Sequence, residues 1–430
     1  MSPGRSGPAT TGADLTGVPT SGEAGAVAGA VATTVPATGP TTGSTTGPTT
    51  GPATAGRVPS VAVVGVHGFG AQYVRRVVDL EAGGRATLAA VVDPRPVDGL
   101  EHLPAGTPWF PDLEALLDRA APDVVVLATP IPTHLPFAAA ALRAGCDVML
   151  EKPPVASLAE HEELLAVVAE TGRRCQVGFQ TFGSGAVDEV ARLVASGELG
   201  EVTGVGAVGT WLRTAGYYAR ARWAGRRTLD GVDVVDGVVT NPLAHAVATA
   251  LLLAGARTAQ DVTDVQLDQY RAHPIEADDT SAVVVTTAAG VRVSAGLTVC
   301  APVQSPARVV VHGTLGTATL LYESDTIDVT SGRGSRRITC GRTDLLRQLL
   351  DARTDPAVAL RCDLADTGAF MRVLEAVRTA PAPRPVPDRF VQWHGDGDAR
   401  HPVVDGIEDW CARVATEGRT FRELGAPFAG

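Results

Sequence analysis

From residue 58 onward, short apolar strands alternate with helical segments, and this alternation constrains the fold more than any other feature of the sequence. The strands, such as those at 60–66 and 123–128, are apolar on both faces, and helical patterns with acidic or capping residues at their starts separate them. Strands that are apolar throughout are typical of a parallel sheet covered by helices. Residues 58–180 are therefore predicted to form an α/β domain, a doubly wound Rossmann sheet that binds a dinucleotide.

Beyond residue 180 the order of elements changes. Short strands joined by Gly-containing turns are expected at 201–211, 264–271, 281–288, 291–298, 307–312 and 317–322. Helices are expected at 186–196, 242–254, 344–352, 365–379 and 406–416. Residues 181–430 are therefore predicted to form a substrate-binding α+β domain with a mostly antiparallel sheet.

The first 57 residues consist mostly of Ala, Gly, Pro and Thr and are predicted to be a disordered, low-complexity tail. They lack a charged segment followed by an apolar one, which predicts a cytoplasmic protein. The net charge of -11 and the absence of basic stretches argue against nucleic acid and membrane partners. Six scattered cysteines without Cys-x-x-Cys spacing indicate reduced thiols.

The first strand leads into a glycine-rich turn at 65–70, with the sequence GVHGFG. Compared with G-x-G-x-x-G, the first and last glycines fit, and His67 stands at the second glycine position. Such a turn lets the backbone approach a pyrophosphate at the start of a helix. The second strand ends in Asp93, which can bind ribose hydroxyls, while Arg95 could hold a 2′-phosphate. The predicted cofactor is NAD or NADP, with NAD favoured, and the binding residues are Gly65, His67, Gly68, Phe69, Gly70, Asp93 and Arg95.

Four further motifs follow in order: T-P-x-x-x-H at 129–134, E-K-P at 151–153, V-G-F-Q at 177–180 and H-G-T-x-G at 312–316. With these motifs the sequence resembles the glucose–fructose oxidoreductase / inositol dehydrogenase (Gfo/Idh/MocA) family from about residue 58 to about residue 320. The resemblance implies an oxidoreductase that uses a nicotinamide cofactor. It adds Thr129, Pro130, His134, Glu151 and Lys152 to the expected cofactor-binding residues.

Lys152 is the only lysine among 36 basic residues. Lysine can lose its proton at accessible pH and arginine cannot, so the two are not equivalent in proton transfer. The resemblance implies that Lys152 lies beside the nicotinamide and contacts the substrate hydroxyl, where burial would lower its pKa. A solvated surface lysine is the alternative.

His245 and Asn241 are the candidates for the second half of the site. Asn241, the only asparagine, precedes Pro242 at an expected helix start, so His245 would lie near the fourth helical residue and stay neutral. A neutral histidine can accept a proton from a carbinol, and catalysis by His245 is weighed against a core histidine. In the resembled family, Asp usually occupies the position of Asn241, and Asn cannot act as a base. Because Asn is a preferred capping residue, helix capping is the favoured role of Asn241.

The segment 217–223 (YYARARW) combines aromatic rings with arginines, as sugar-binding pockets do. A packed surface loop is the alternative. The predicted substrate-binding residues are Gln180, Tyr218, Arg222, Trp223, Asn241 and His245. The potential ligands His394, Asp396, Asp398 and His401 lack the spacing of a zinc site, so no metal is expected.

These features together predict an NAD(P)-dependent oxidoreductase that acts on a hydroxyl of a sugar, sugar derivative or cyclitol, with Lys152 and His245 as catalytic residues. The alternatives are an NAD-dependent glycosidase that uses a redox cycle and a non-catalytic dinucleotide sensor, the latter suggested by His67 and Asn241. The resemblance also implies a homo-oligomer, either a dimer or a tetramer.

Overall fold

Residues 57–430 are the part of the chain that the computed structural model describes. Apart from Arg57, the predicted tail at 1–57 therefore lies outside the described residues. Among the helices of residues 57–430, none is both long enough and apolar enough to cross a bilayer.

The first sheet has six parallel strands, and its buried strands explain the continuous apolar runs of the sequence. The strands are β1 Ser60–Val64, β2 Thr87–Val92, β3 Trp109–Phe110, β4 Val124–Leu127, β5 Asp147–Leu150 and β6 Cys175–Val177. Helices α1 Gly70–Ala82, α2 Leu113–Arg119, α3 His134–Arg143 and α4 Leu158–Thr171 alternate with them. The strand order is β3-β2-β1-β4-β5-β6, so it reverses between β1 and β4, where doubly wound folds bind their ligands. The predicted doubly wound α/β fold is confirmed.

The second part of the chain begins with α5 Gly185–Ala195 and is organised around a nine-stranded sheet, in the order β16-β15-β14-β13-β7-β12-β11-β10-β17. Its strands are β7 Val202–Thr210, β10 Val262–Arg271, β11 Thr280–Thr287, β12 Arg292–Thr298, β13 Arg308–Gly313, β14 Gly316–Leu321, β15 Thr326–Ser331, β16 Gly334–Thr339 and β17 Arg384–Pro385. Two small hairpins join β8 Thr228–Leu229 to β9 Val232–Asp233, and β18 Val391–His394 to β19 His401–Val404. The pairs β7–β12 and β10–β17 are parallel and the others antiparallel, which confirms a mostly antiparallel sheet.

Helices pack on both faces of the second sheet. The remaining helices are α6 Ala215–Ala219, α7 Ala244–Leu253, α8 Leu345–Thr354, α9 Gly368–Thr379 and α10 Ile407–Glu417. Helix α7 packs on one face, and α10 packs on β7 and β12 from the other. Glycines allow this close approach, because a Cβ on Gly206 would lie 2.3 Å from the carbonyl oxygen of Ala415 and a Cβ on Gly296 equally close to that of Cys411.

Helices α8 and α9 return to the first sheet. Helix α8 packs against β5 and β6, and α9 packs against α4. The guanidinium of Arg353 in α8 lies 2.6 Å from a carboxylate oxygen of Asp147 and 2.9 Å from one of Asp123. Residues far beyond position 180 therefore complete the surroundings of the first sheet.

Candidate active site

A cleft of about 1010 Å³ opens at the carboxyl ends of the first sheet's strands, and residues 217–245 form its opposite wall. Most predicted site residues line it: Gly65, His67, Gly68, Phe69, Asp93, Arg95, Thr129, Pro130, His134, Glu151, Lys152, Gln180, Trp223, Asn241 and His245. Gly70 lies behind the turn, and Tyr218 and Arg222 do not reach the cleft.

The glycine-rich turn packs tightly against the end of β4. Gly65 has a φ of +84°, and a Cβ there would lie 2.6 Å from the carbonyl oxygen of Ala128. A Cβ on Gly70 would lie 1.7 Å from the carbonyl oxygen of Gly65, so both positions require glycine. By contrast, a Cβ on Gly68 would meet nothing within 4 Å. The turn is therefore closed toward the sheet and open toward the cleft.

His67 does not fill this opening. Its Nε2 lies 3.0 Å from the carbonyl oxygen of Pro96, which holds the ring against the loop after β2. In that loop Asp93 accepts hydrogen bonds from the N–H of Val66 and from the N–H and Nε of Arg95. Burial raises the pKa of Asp93, but these hydrogen bonds outweigh it and hold the pKa below its usual value. An ionised carboxylate thus stands at the end of β2.

His134 joins two of the sequence motifs. Its Nε2 lies 2.8 Å from the carbonyl oxygen of Thr129, and its Nδ1 lies 3.1 Å from those of Pro153 and Pro154. The ring is almost fully buried, and burial lowers the pKa of His134. His134 therefore fixes the position of the E-K-P segment relative to the T-P-x-x-x-H segment.

Glu151 connects Lys152 to helix α1. Its Oε1 accepts the hydroxyl hydrogen of Tyr73 at 2.5 Å, and its Oε2 accepts the N–H of Lys152 at 3.1 Å. The Tyr73 hydroxyl in turn accepts a hydrogen bond from Gln180 at 3.4 Å. Burial raises the pKa of Glu151 and, together with the Glu151 charge, that of Tyr73. Tyr73 is a site residue that the sequence does not reveal, because nothing in its local pattern distinguishes it from a core tyrosine of α1.

Lys152 projects toward Asn241. Its Nζ donates to Oδ1 of Asn241 at 2.7 Å and to the backbone oxygen of the same residue at 3.2 Å. Burial lowers the pKa of Lys152 and the Arg220 charge lowers it further, while Glu151 and Asp236 raise it less. The ammonium form is thus destabilised relative to the neutral amine, so Lys152 loses its proton more readily than an exposed lysine.

Asn241 does not cap the helix, so the favoured sequence interpretation is wrong. Helix α7 begins at Ala244, and Leu243 stands at the capping position without a side-chain hydrogen bond. His245 is consequently the second helical residue and not the fourth. The Asn241 side chain is not available for capping because it joins Lys152 to a carboxylate on its other side.

That carboxylate belongs to Asp236, which is 5% exposed and is not among the predicted site residues. Its Oδ1 accepts the Asn241 amide hydrogen at 2.5 Å, and its Oδ2 accepts the N–H of Gly225 at 2.7 Å. Burial raises the pKa of Asp236. An ammonium only donates and a carboxylate only accepts, so the amide between them has one orientation that satisfies both. The sequence does not distinguish this carboxylate, because Asp230 and Asp233 lie in the same short segment before Asn241.

His245 lies against Phe179, with the ring centroids 5.6 Å apart and the rings nearly perpendicular. Burial, with the charges of Lys152 and Arg342, lowers the pKa of His245 to about 3. The ring is therefore neutral at physiological pH. Its buried Nδ1 has no hydrogen-bond partner among residues 57–430.

In the aromatic segment, Tyr217, Arg220, Ala221 and Trp223 face the cleft. The Arg220 guanidinium lies 3.5 Å from the centroid of the Tyr217 ring and 5.0 Å from that of Trp223. Of the three predicted residues of this segment, the structure brings only Trp223 to the cleft. The Tyr218 ring packs edge-on against Tyr217 and His273, and Arg222 pairs with Asp230 on the surface.

His394 and His401 pair across the β18–β19 hairpin, and Asp396 and Asp398 lie in the connection between its two strands. The two histidine rings stack with their centroids 5.7 Å apart. Within residues 57–430, these four side chains do not form a group whose ligand atoms converge.

The residues of the cleft fit a nicotinamide dinucleotide. Gly68 leaves the turn open to a ligand, the ionised Asp93 ends β2, and Lys152 lies further along the cleft floor. In doubly wound folds a pyrophosphate binds to such an open turn, and the adenosine ribose binds to an acidic residue at the end of the second strand.

Comparison with known proteins identifies the family of the chain. Residues 60–179 match the model of an oxidoreductase family with an NAD-binding Rossmann fold, and residues 187–319 match the GFO/IDH/MocA C-terminal domain. The chain belongs to the Gfo/Idh/MocA family. The two matches together span more than half of the 430 residues.

Curated relatives in this family resemble one segment of the chain. Inositol 2-dehydrogenase of Rhodococcus jostii is 37% identical over 146 residues, which are 33% of this chain and 39% of the relative. The scyllo-inositol 2-dehydrogenase (NAD(+)) of Bacillus subtilis is 33% identical over 93 residues, 22% of this chain and 27% of the relative. The chain thus matches less than half the length of these relatives.

Solved structures of dehydrogenases share the fold over a longer stretch. UDP-N-acetylglucosamine 3-dehydrogenase GnnA of Acidithiobacillus ferrooxidans aligns with a TM-score of 0.60 and 19% identity, covering 75% of this chain and 97% of that one. The WlbA dehydrogenase of Bordetella pertussis, in complex with NADH and UDP-GlcNAcA, aligns with a TM-score of 0.61 and 21% identity, covering 75% and 95%.

Proposed function

We propose that this protein is an NAD-dependent dehydrogenase that acts on a secondary hydroxyl of a cyclitol or sugar. The position of Lys152 carries the proposal, because the only lysine of the chain lies in the same cleft as the glycine-rich turn. It is held there by two oxygens of Asn241. An amine placed in this way serves a reaction in which a proton leaves a hydroxyl while a hydride leaves the carbon.

Lys152 takes the hydroxyl proton in this proposal. A neutral amine has two N–H bonds and one lone pair, and both N–H bonds are directed to Asn241. The lone pair is then left for the substrate. The nicotinamide ring, when bound, supplies the acceptor for the hydride.

His245 orients the same hydroxyl as a neutral hydrogen-bonding ring. A pKa of about 3 makes the imidazole a weak base, so it does not hold the proton once the hydroxyl has lost it. Lys152 is therefore the base, and His245 orients the hydroxyl.

NAD is the proposed cofactor in preference to NADP. The Asp93 carboxylate is ionised and stands where a ribose 2′-hydroxyl would donate to it, and it would repel a 2′-phosphate. Arg95 opposes this preference, since its side chain is 65% exposed and carries a charge that a 2′-phosphate would attract.

A cyclitol is the first substrate class to test, because the curated relatives are named inositol 2-dehydrogenases. Tyr217 and Trp223 offer ring faces to the C–H side of a polyol, and Arg220 offers donors to its hydroxyls. The proposal includes a small-molecule partner, no nucleic acid or membrane partner, and a cytoplasmic location, in keeping with the net charge of -11.

A homo-oligomer, either a dimer or a tetramer, is a separate proposal. Helix α10 and residues 421–430 cover part of one face of the nine-stranded sheet, which leaves less of that face for a second copy. Light scattering coupled to size-exclusion chromatography tests it directly, and a monomer mass at micromolar concentration would exclude it.

The experiment for the function begins with fluorescence titration of the full chain with NADH and NADPH. Turnover with NAD and NADP is then followed at 340 nm on a panel of inositols, aldoses and nucleotide sugars. Turnover on one class, absent in Lys152→Met, supports the proposal. Binding without turnover on the panel contradicts it, and a parallel assay for sugar released from glycosides separates a glycosidase from a sensor.

A further inference from the structure

A second cluster of reactive side chains lies outside the cleft. His273, Asp279 and Cys300 each direct a potential ligand atom to a common point, and these atoms all lie within 4.8 Å of one another. The residues come from the segment after β10, the residue before β11 and the segment after β12. All three are buried, with exposures of 3%, 0% and 0%.

Two polar atoms of this cluster are left without partners. Neither Nε2 of His273 nor Oδ1 of Asp279 has a hydrogen-bond partner among the described residues, although both are buried. Buried polar atoms without a partner are rare in native folds, because the cost of removing them from water is left uncompensated. A ligand bound between them would remove the cost.

The unpartnered atoms are also fixed in direction. The other oxygen of Asp279, Oδ2, accepts the N–H of Ala272 at 2.8 Å and that of His273 at 2.7 Å. The His273 ring is held edge-on by the Tyr218 ring, with the centroids 4.8 Å apart. The cluster is therefore positioned by its surroundings and does not depend on flexible surface side chains.

We propose that His273, Asp279 and Cys300 bind one zinc ion. Imidazole nitrogen, carboxylate oxygen and thiolate sulfur are the three donor types that zinc takes in proteins, and the sulfur and nitrogen disfavour magnesium and calcium. A thiolate and a carboxylate together balance the two positive charges, so the buried site is neutral. Among residues 57–430 no fourth His, Cys, Asp or Glu belongs to the group, so a water or hydroxyl completes the tetrahedron.

The ion would add a link between segments that flank neighbouring, already paired strands of the sheet. It connects the segment after β10 to the end of β12, next to Tyr218 in α6. The neighbouring Tyr217 lines the cleft, so the ion would stabilise the wall that carries Arg220 and Trp223 without touching substrate. The role is structural, and it is independent of the proposed dehydrogenase activity.

The test is the metal content of the full chain, produced in zinc-supplemented medium and freed of any histidine tag. Mass spectrometry of the metal is expected to give about one zinc per chain. Cys300→Ser and Asp279→Asn should each lower it several-fold. Cys411→Ser is the matched control, because Cys411 is equally buried in the same apolar cluster but outside the ligand group.

Cobalt gives a second readout. Protein produced with Co(II) in place of zinc should show a thiolate-to-cobalt charge-transfer absorption, retained in Cys411→Ser and lost in Cys300→Ser. Asp279→Asn keeps an oxygen for the two backbone N–H groups, so it should fold with native circular dichroism and still lose metal.

Wild-type protein that carries no zinc and shows no charge-transfer absorption with cobalt would overturn the proposal and leave a thiol–carboxylate contact. Equal zinc in wild type and in Cys300→Ser would overturn it as well, because the metal would then lie elsewhere. Neither result bears on hydride transfer, which is measured separately at 340 nm.

Discussion

The two walls of the cleft are built in different ways. The wall with the glycine-rich turn consists of backbone, and its shape depends on the missing side chains of Gly65 and Gly70 within six consecutive residues. The opposite wall, residues 217–245, consists of side chains, and its Asp236 and Asn241 connect to Lys152, which lies more than eighty residues earlier in the chain.

Because of this difference, we expect the two walls to control different properties, cofactor affinity and proton transfer. Changes in the backbone wall should act on the affinity for the cofactor, because backbone is what a pyrophosphate contacts. Changes in the side-chain wall should act on turnover and its pH dependence, because a proton moves there. The predictions below test whether the two walls are separable in this sense, beginning with the largest effect.

Lys152→Met should lower turnover by roughly a thousandfold, since a general base contributes about 10²–10⁴. Affinity for NADH should change by less than about twofold if the walls are independent. Steady-state kinetics at 340 nm and fluorescence titration measure the two quantities. Lys152→Arg is the matched control: it keeps a positive charge but cannot lose a proton, and full activity in it would exclude the proposed base.

Gly70→Ala should lower NADH affinity by at least about tenfold, because a Cβ would meet the carbonyl oxygen of Gly65 and displace the turn. A lower melting temperature should accompany the loss. Gly68→Ala is the control that adds the same methyl group to open space and should melt like the wild type. Equal melting temperatures of the two variants would contradict the close packing of this wall.

Asn241→Asp should raise the pKa of Lys152, because a carboxylate in place of an amide favours the ammonium form. Oxidation requires the neutral amine. The pH at which the oxidation rate is half-maximal should therefore be higher than in the wild type by on the order of one unit. Since Lys152 is the only lysine, labelling by an amine-reactive reagent, read by mass spectrometry on the peptide that contains Lys152 and so kept apart from the α-amino group, reports its pKa.

Asp236→Asn is the counterpart of that change. It removes the carboxylate that raises the pKa of Lys152, so the labelling curve should move to lower pH. Shifts of the same sign in the two variants would contradict the chain of hydrogen bonds through Asn241.

The smallest effect is expected from Arg95→Ala. The exposed guanidinium supplies attraction for a 2′-phosphate, so its removal should weaken NADPH binding by about fivefold and leave NADH binding nearly unchanged. Parallel titrations at one ionic strength give the ratio. A variant that loses NADH affinity to the same degree would show that Arg95 supports the turn through Asp93 and does not select between cofactors.

The sequence was sufficient where one local pattern determines one local structure. Five of the six strands of the first sheet and the turn at 65–70 follow from runs of apolar residues and from glycine spacing, whereas the two-residue β3 was not predicted. The hairpin of β15 and β16 was missed because β16 is largely exposed and carries polar residues, as edge strands do.

The sequence does not predict which side chains contact one another. The order Asn-Pro before an apolar segment is a strong capping pattern, yet a bond to Lys152 takes precedence over it at Asn241. Similarly, the conformation of α6 and the turn that follows it determines that Tyr217 and Arg220 face the cleft while Tyr218 and Arg222 do not. A different turn would change this set without any change in composition.

The return of α8 and α9 to the first sheet has a consequence for anyone who recombines parts of this protein. Asp147 is fully buried, and its ion pair with Arg353 in α8 is 2.6 Å long. A chain cut after residue 180, or joined there to the substrate half of another dehydrogenase, would lose Arg353 and leave Arg174 as the only cation beside Asp147 among the described residues of that half. A transplantable cofactor-binding half therefore consists of two stretches of chain, residues 58–180 and 345–379.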